Sequence, residues 1–124
     1  MATAKETLTK LMEIEGIIGA CIVDSNSGMM LGSAGGGSGS LTLNLELAAA
    51  GNTEVVRAKR KTMKALNLND PIEDILITLN RQYHLLRPLS SNDALFIYVA
   101  LDRSRANLAL ARHYLASAEK ELTV

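Results

Sequence analysis

Six consecutive small residues, Gly35-Gly36-Gly37-Ser38-Gly39-Ser40, separate an alternating, strand-like N-terminal third from a helical run of roughly six turns, after which three more strand-like runs follow. That order leaves few folds open. The stretch also resembles a phosphate cradle, but a P-loop needs Gly-x-x-x-x-Gly-Lys-Ser/Thr, with the lysine reaching the outer phosphates and the hydroxyl holding the metal. Gly39 is followed by Ser40 and no lysine. Glycines before a helix N-terminus still leave a stray anion as one reading; a flexible connector is the reading that Gly/Ser enrichment favours.

Thr3 and Glu6 have capping-box spacing, and Leu8, Leu11 and Met12 then share a face, predicting a short helix that stops at Gly16. Ile17 to Val23 is an unbroken apolar run. Asp24-Ser25-Asn26-Ser27-Gly28 is turn chemistry leading into Met29-Met30-Leu31, which together predict a hairpin. Leu41, Leu43, Leu45 and Leu47 alternate as a strand would, whereas Leu45, Ala48, Asn52, Val56, Lys59, Met63 and Leu66 share a helical face. The Ala, Lys, Arg and Met content decides for a helix from about Leu43 to Leu66. Asn67 to Pro71 ends it. Ile72–Leu79, Tyr83–Leu86 and Ala94–Leu101 predict three more strands, and Asp102 or Ser104 is expected to cap a last helix striped with Leu108, Ala111, Leu115, Ala118 and Leu122. The first and last strands are apolar on both sides, which places them mid-sheet with helices over both faces. The order is α-β-β-α-β-β-β-α, an α+β class, and 124 residues suit one domain over 1–124.

With 13 basic and 13 acidic residues, the chain lacks the field that draws proteins onto nucleic acid or anionic membranes, so neither is expected as a partner. A lone cysteine, Cys21, excludes an intrachain disulfide framework and a thiolate metal cluster and suits a reducing, cytoplasmic location. The N-terminal residues have neither the pattern of a leader nor the apolar length of a membrane span.

The residues that carry chemistry do not converge in sequence. His84 and His113 have no metal partner at ligand spacing. Cys21, centred in an apolar strand, is expected to pack rather than react. Ser90, Ser91, Asp74 and the histidines supply the letters of a triad without an elbow to aim a serine. The expectation is no catalytic residue, no metal and no cofactor. A small-ligand sensor or hydrolase using the Gly35–Ser40 loop with His84 or Ser90 remains an alternative.

The middle helix has a second apolar side. Leu43, Leu47, Ala50, Ala58 and Ala65 fall roughly opposite Leu45, Val56 and Met63, with Glu54 and Lys61 among them. One side covers the chain's own sheet; the other, of small residues, suits close approach of a second helix, and Glu54 and Lys61 suit pairing between antiparallel copies. The other reading is that alanines simply favour an exposed helix. Ile72-Glu73-Asp74-Ile75-Leu76-Ile77-Thr78-Leu79, if it forms a sheet edge, is an aggregation hazard unless another strand covers it. The basic run Arg57, Lys59, Arg60, Lys61 and Lys64 has no stacking aromatics and reads as a solvated face or a site for an acidic protein.

Several stretches resemble the roadblock (dynein light-chain roadblock) family, particularly its small bacterial members. They are Ile14 to Asp24 with Gly28, Ala49 to Ala58, Ile72 to Leu79, Gln82 to Leu89, Leu101 to Arg103 and Ala106 to Arg112. The resemblance implies a profilin-like α/β sandwich: a five-stranded antiparallel sheet with the first and last helices on one face and the middle helix on the other. It also implies a homodimer joined through the strand containing Ile75 and Ile77 and through the middle helices. Dimer-interface candidates are Leu47, Ala50, Glu54, Ala58, Lys61, Ala65, Ile75 and Ile77. Family members are non-catalytic modules that scaffold or regulate small Ras-like GTPases, so Arg57, Arg60 and Lys64 are the partner-binding candidates. A structural adaptor subunit of a motor or signalling complex, without a GTPase, is the other role the resemblance leaves open. The glycine-rich insert departs from the family pattern.

Overall fold

Thr3 Oγ1 accepts the Glu6 N–H at 3.1 Å while Glu6 Oε1 accepts the Thr3 N–H at 2.9 Å, closing the capping box that opens α1 (Ala4–Leu11). The structure is a computed structural model, and it describes residues 1–37 and 42–124. α1 ends well before Gly16. Tight turns from Lys10 to Ile17 take over there, and they drop Ile14 into the core.

β1 (Ile17–Asp24) and β2 (Met30–Gly35) form the expected hairpin, and β2 runs further than Met29-Met30-Leu31 predicts. Glycine makes that extension possible: Gly35 pairs with Gly19 at φ +74°, and a Cβ there would sit 2.7 Å from the Ile18 carbonyl. The Gly36 N–H then donates to that same carbonyl, so the first part of the glycine-rich stretch is ordered sheet margin rather than free connector. The expected connector at Ser38, Gly39 and Ser40 lies outside the described residues.

Asn44 caps α2 (Leu45–Ala65), its Oδ1 accepting the Leu47 N–H at 3.0 Å, so the helix starts two residues later than Leu43. β3 (Ile75–Thr78), β4 (Gln82–Pro88) and β5 (Leu95–Asp102) follow. β3 is shorter than Ile72–Leu79 at both ends: just before it the Asp74 carboxylate meets Arg112, and just after it the Leu79 N–H donates to the Gln82 carbonyl. α3 (Leu108–Glu121) is capped by Asn107, whose Oδ1 accepts the Leu110 N–H. Asp102, expected in that role, instead accepts the Ser104 N–H and hydroxyl in the preceding turn.

All strand pairs are antiparallel, in the order β2-β1-β5-β4-β3. The two strands that are apolar on both sides, β1 and β5, are interior as expected. Ile97, Val99 and Leu101 point into one core with Leu11, Ala111 and Leu115 of α1 and α3; Phe96, Tyr98 and Ala100 point into a second with Ala49 and Val56 of α2. Helices therefore cover both faces, and β3 and β2 are left as the two edges.

Candidate interaction interface

The 3.6-residue period divides α2 into two faces. Leu45, Ala49, Thr53 and Val56 are buried on the sheet. On the opposite side Leu47 is 71% exposed, and Ala50, Glu54, Ala58, Lys61 and Ala65 are exposed with it. Gly51 joins them, with nothing within 4 Å of where its Cβ would be. Sequence reasoning missed Gly51, although its position three residues before Glu54 placed it on this side. The apolar character continues past the helix through Leu66 and Leu68, both exposed.

The strand that carries Ile75 and Ile77 lies at a sheet edge, paired only with β4. Its four residues contain no charge and no proline, the features that commonly keep an edge from pairing. Ile75 packs with the α2-side core and Leu76 with the other; Ile77, two residues on from Ile75, shares its face. Both isoleucines are half-buried. α2 lies nearest β1 and β2, so the sheet face beside β3 and β4, with Ile77, Gln82 and His84 half-buried, is only partly roofed by the chain's own helix.

The three expected partner-binding cations are not equivalent. Arg60 Nη2 donates to the Asp93 carbonyl at 2.6 Å and Nη1 to Ser25 Oγ at 3.4 Å, fastening α2 to the β4–β5 loop. Its guanidinium is a structural tie. Arg57 reaches only Glu54, at 3.8 Å and well exposed, a pairing worth a few tenths of a kcal/mol. Lys61 and Lys64 have no ion-pair partner among the described residues. Lys64 rims an open cleft of about 900 Å³ between the α2–β3 connector and the β4–β5 loop, whose walls also carry Asp70, Glu73 and Asp93. Mixed charge of that kind does not select an anion.

The chemistry-bearing side chains are dispersed. Gln82 Oε1 lies 2.7 Å from His84 Nε2 and the Tyr98 hydroxyl 3.3 Å from Nδ1, an arrangement that suits the tautomer with its proton on Nε2, donating to the carboxamide oxygen while Nδ1 accepts from Tyr98. Burial lowers the His84 pKa and raises that of Tyr98. The Ser90 hydroxyl donates to Glu119 at 2.9 Å, and Asp74 is held by Arg112. Cys21 is fully buried, its thiol pushed up to about 12 by desolvation. Three strand spacings, roughly 14 Å, separate β2, which carries Gly35, from β4, which carries His84. Among the described residues no cluster of three or more His, Cys, Asp or Glu side chains is placed to hold a metal ion, and no helix is long and apolar enough to cross a membrane.

No family model matches the chain, and no curated protein sequence does. Solved structures do. A Roadblock/LC7 domain from Streptomyces avermitilis superposes with a TM-score of 0.75 at 12% identity, covering 92% of this chain and 89% of that one. MglB of Myxococcus xanthus gives 0.72 at 17% identity over 93% and 84% of the two chains. The gliding protein MglB from Thermus thermophilus gives 0.70 at 17% identity over 95% and 89%. Likeness at this level of identity establishes the fold.

Proposed function

We propose that this chain, which has the roadblock fold, is a non-catalytic homodimeric module, folded as one domain in the cytoplasm, that binds and modulates a small Ras-like GTPase. The observation that carries the reading is one relationship. An uncharged edge strand, β3, and a solvent face of α2 built from Leu47, Ala50, Gly51, Ala58 and Ala65 are both left without a cover.

A two-fold axis meets both needs at once. β3 paired with its twin turns two edges into one continuous sheet, and the small residues let two α2 helices approach within about 8–10 Å. Burying Leu47 in such a seam contributes about 1.5–3 kcal/mol per copy. Glu54 set against Lys61 of the twin adds little energy but favours the antiparallel arrangement over the parallel one.

The roadblock resemblance and the cations left over support that choice of partner. Arg57 and Lys64 remain open to an acidic surface, whereas Arg60 has both Nη atoms engaged within the fold. A module of this kind alters GTP hydrolysis by holding the GTPase switch segments in one arrangement rather than by supplying a reacting group. The positions of the polar side chains support that role, since the Ser90 hydroxyl, the His84 ring and the Asp74 carboxylate are each engaged within the fold.

The test is single-turnover GTP hydrolysis by the Ras-like GTPase encoded nearest this chain's gene, with and without the purified dimer. A complex and a changed hydrolysis rate are expected. A clean dimer that neither binds the GTPase nor changes its rate contradicts the partner and leaves the structural-adaptor role.

A further inference from the structure

β3 is only four residues long and is tied to the sheet along one side, by β4. Short edge elements of this kind open locally at low cost. Two arginines from elsewhere in the chain grip its two flanks. Before β3, Asp74 takes both arms of Arg112 on α3, Nε to Oδ2 at 3.1 Å and Nη2 to Oδ1 at 2.9 Å, a forked pair that fixes direction as well as distance. After β3, the Arg103 guanidinium donates to the Leu79 carbonyl at 2.9 Å and lies 5.0 Å from the centre of the Tyr83 ring. The Arg103 N–H in turn donates to the Arg81 carbonyl at 3.1 Å, fixing the arginine over the β3–β4 turn.

We infer that Arg112 and Arg103 are positioning residues that hold the free edge of β3 straight for pairing with a second copy of this chain. The inference rests on the dimer proposed above. The ordering of β3 is done in the lone chain, so association does not have to supply it. A two-fold axis brings two braced strands together, and each brace therefore acts twice. Neither arginine is itself a core residue: the Arg112 side chain is 41% exposed and Arg103 is exposed.

The experiment compares wild type with Arg112→Ala, Arg103→Ala and Asp74→Asn, the last breaking the first brace from its other side. Sedimentation equilibrium gives the dimer dissociation constant, hydrogen exchange follows the peptide containing β3 against that containing β5, and thermal melting reports global stability. The expected result is a dissociation constant raised about tenfold by Arg112→Ala and by Asp74→Asn. Faster exchange in β3 alone and near-wild-type melting should accompany it. Arg112→Lys, which keeps the charge and loses the fork, should fall between. Unchanged dimerisation and unchanged β3 exchange in a wild-type background that does dimerise overturn the brace and leave the dimer standing. A drop in melting temperature with exchange accelerated equally in β5 also overturns it, because the arginines then support the whole fold. A wild-type chain that stays monomeric overturns both.

Discussion

Glu119, near the end of α3, holds Arg87 of β4 at 3.0 Å with 1% of its own side chain and 14% of the arginine's exposed. The carboxylate also accepts the Ser90 N–H at 3.1 Å and the Ser90 hydroxyl at 2.9 Å, so both oxygens are engaged. One buried carboxylate thereby joins α3, β4 and the β4–β5 loop. Glu119→Leu leaves the arginine buried and unpaired and should cost about 3–5 kcal/mol in urea unfolding. Adding Arg87→Met should recover a large part of that loss, a strongly non-additive pair in a double-mutant cycle.

The imidazole of His84 supplies a pH dependence. Burial lowers its pKa below the usual 6.5, so the folded chain binds fewer protons there than the unfolded chain. The stability this provides is complete above about pH 6.5 and is lost as pH falls through the lowered value. Melting temperature should drop between pH 7.5 and 5.5. His84→Gln should flatten that drop; an equal drop in the variant contradicts the assignment.

Cys21 sits fully buried in β1 with its thiol raised to about 12. Alkylation by iodoacetamide at pH 8 should be slow in the native chain and fast in denaturant, with native labelling limited by unfolding. Rapid native labelling contradicts the burial.

The cations of α2 should separate by role. Arg60→Ala removes a charge-assisted hydrogen bond to the Asp93 carbonyl and should destabilise the fold by about 1.5–3 kcal/mol. Arg57→Glu and Lys64→Glu, on exposed positions, should leave unfolding within about 0.5 kcal/mol of wild type and weaken binding of an acidic partner. Loss of partner binding from Arg60→Ala alone, at unchanged stability, contradicts this division.

The sequence carried the architecture because the signals that set it are local. Thr3 and Glu6 marked a capping box, the two-sided apolar runs Ile17–Val23 and Leu95–Leu101 marked interior strands, and the Ala111, Leu115 and Ala118 stripe marked the buried side of α3. What it left open depended on long-range pairing. β3 leaves out Ile72 to Asp74, and the carboxylate of Asp74 meets Arg112, 38 positions away, a contact no local pattern announces. Arg60 read as a free cation until the fold brought the Asp93 carbonyl to it from 33 positions away. The Glu119 network was illegible for the same reason. At the helix starts the missed signal was local: Asn44 and Asn107 are good capping residues, and both were outweighed by neighbouring leucines and by Asp102 and Ser104.

The central claim is that the exposed face of α2 and the free edge of β3 meet a twin. Sedimentation equilibrium of the 13.3 kDa chain at high micromolar concentration, beside Ala58→Arg, tests it most directly. Ala58 is exposed on α2, so the substitution should leave the monomer fold intact while driving a long cation into the seam. The account predicts twice the chain mass for wild type and the single-chain mass for Ala58→Arg. A wild-type protein that sediments as one chain contradicts it, and so does an Ala58→Arg protein that dimerises as tightly as wild type.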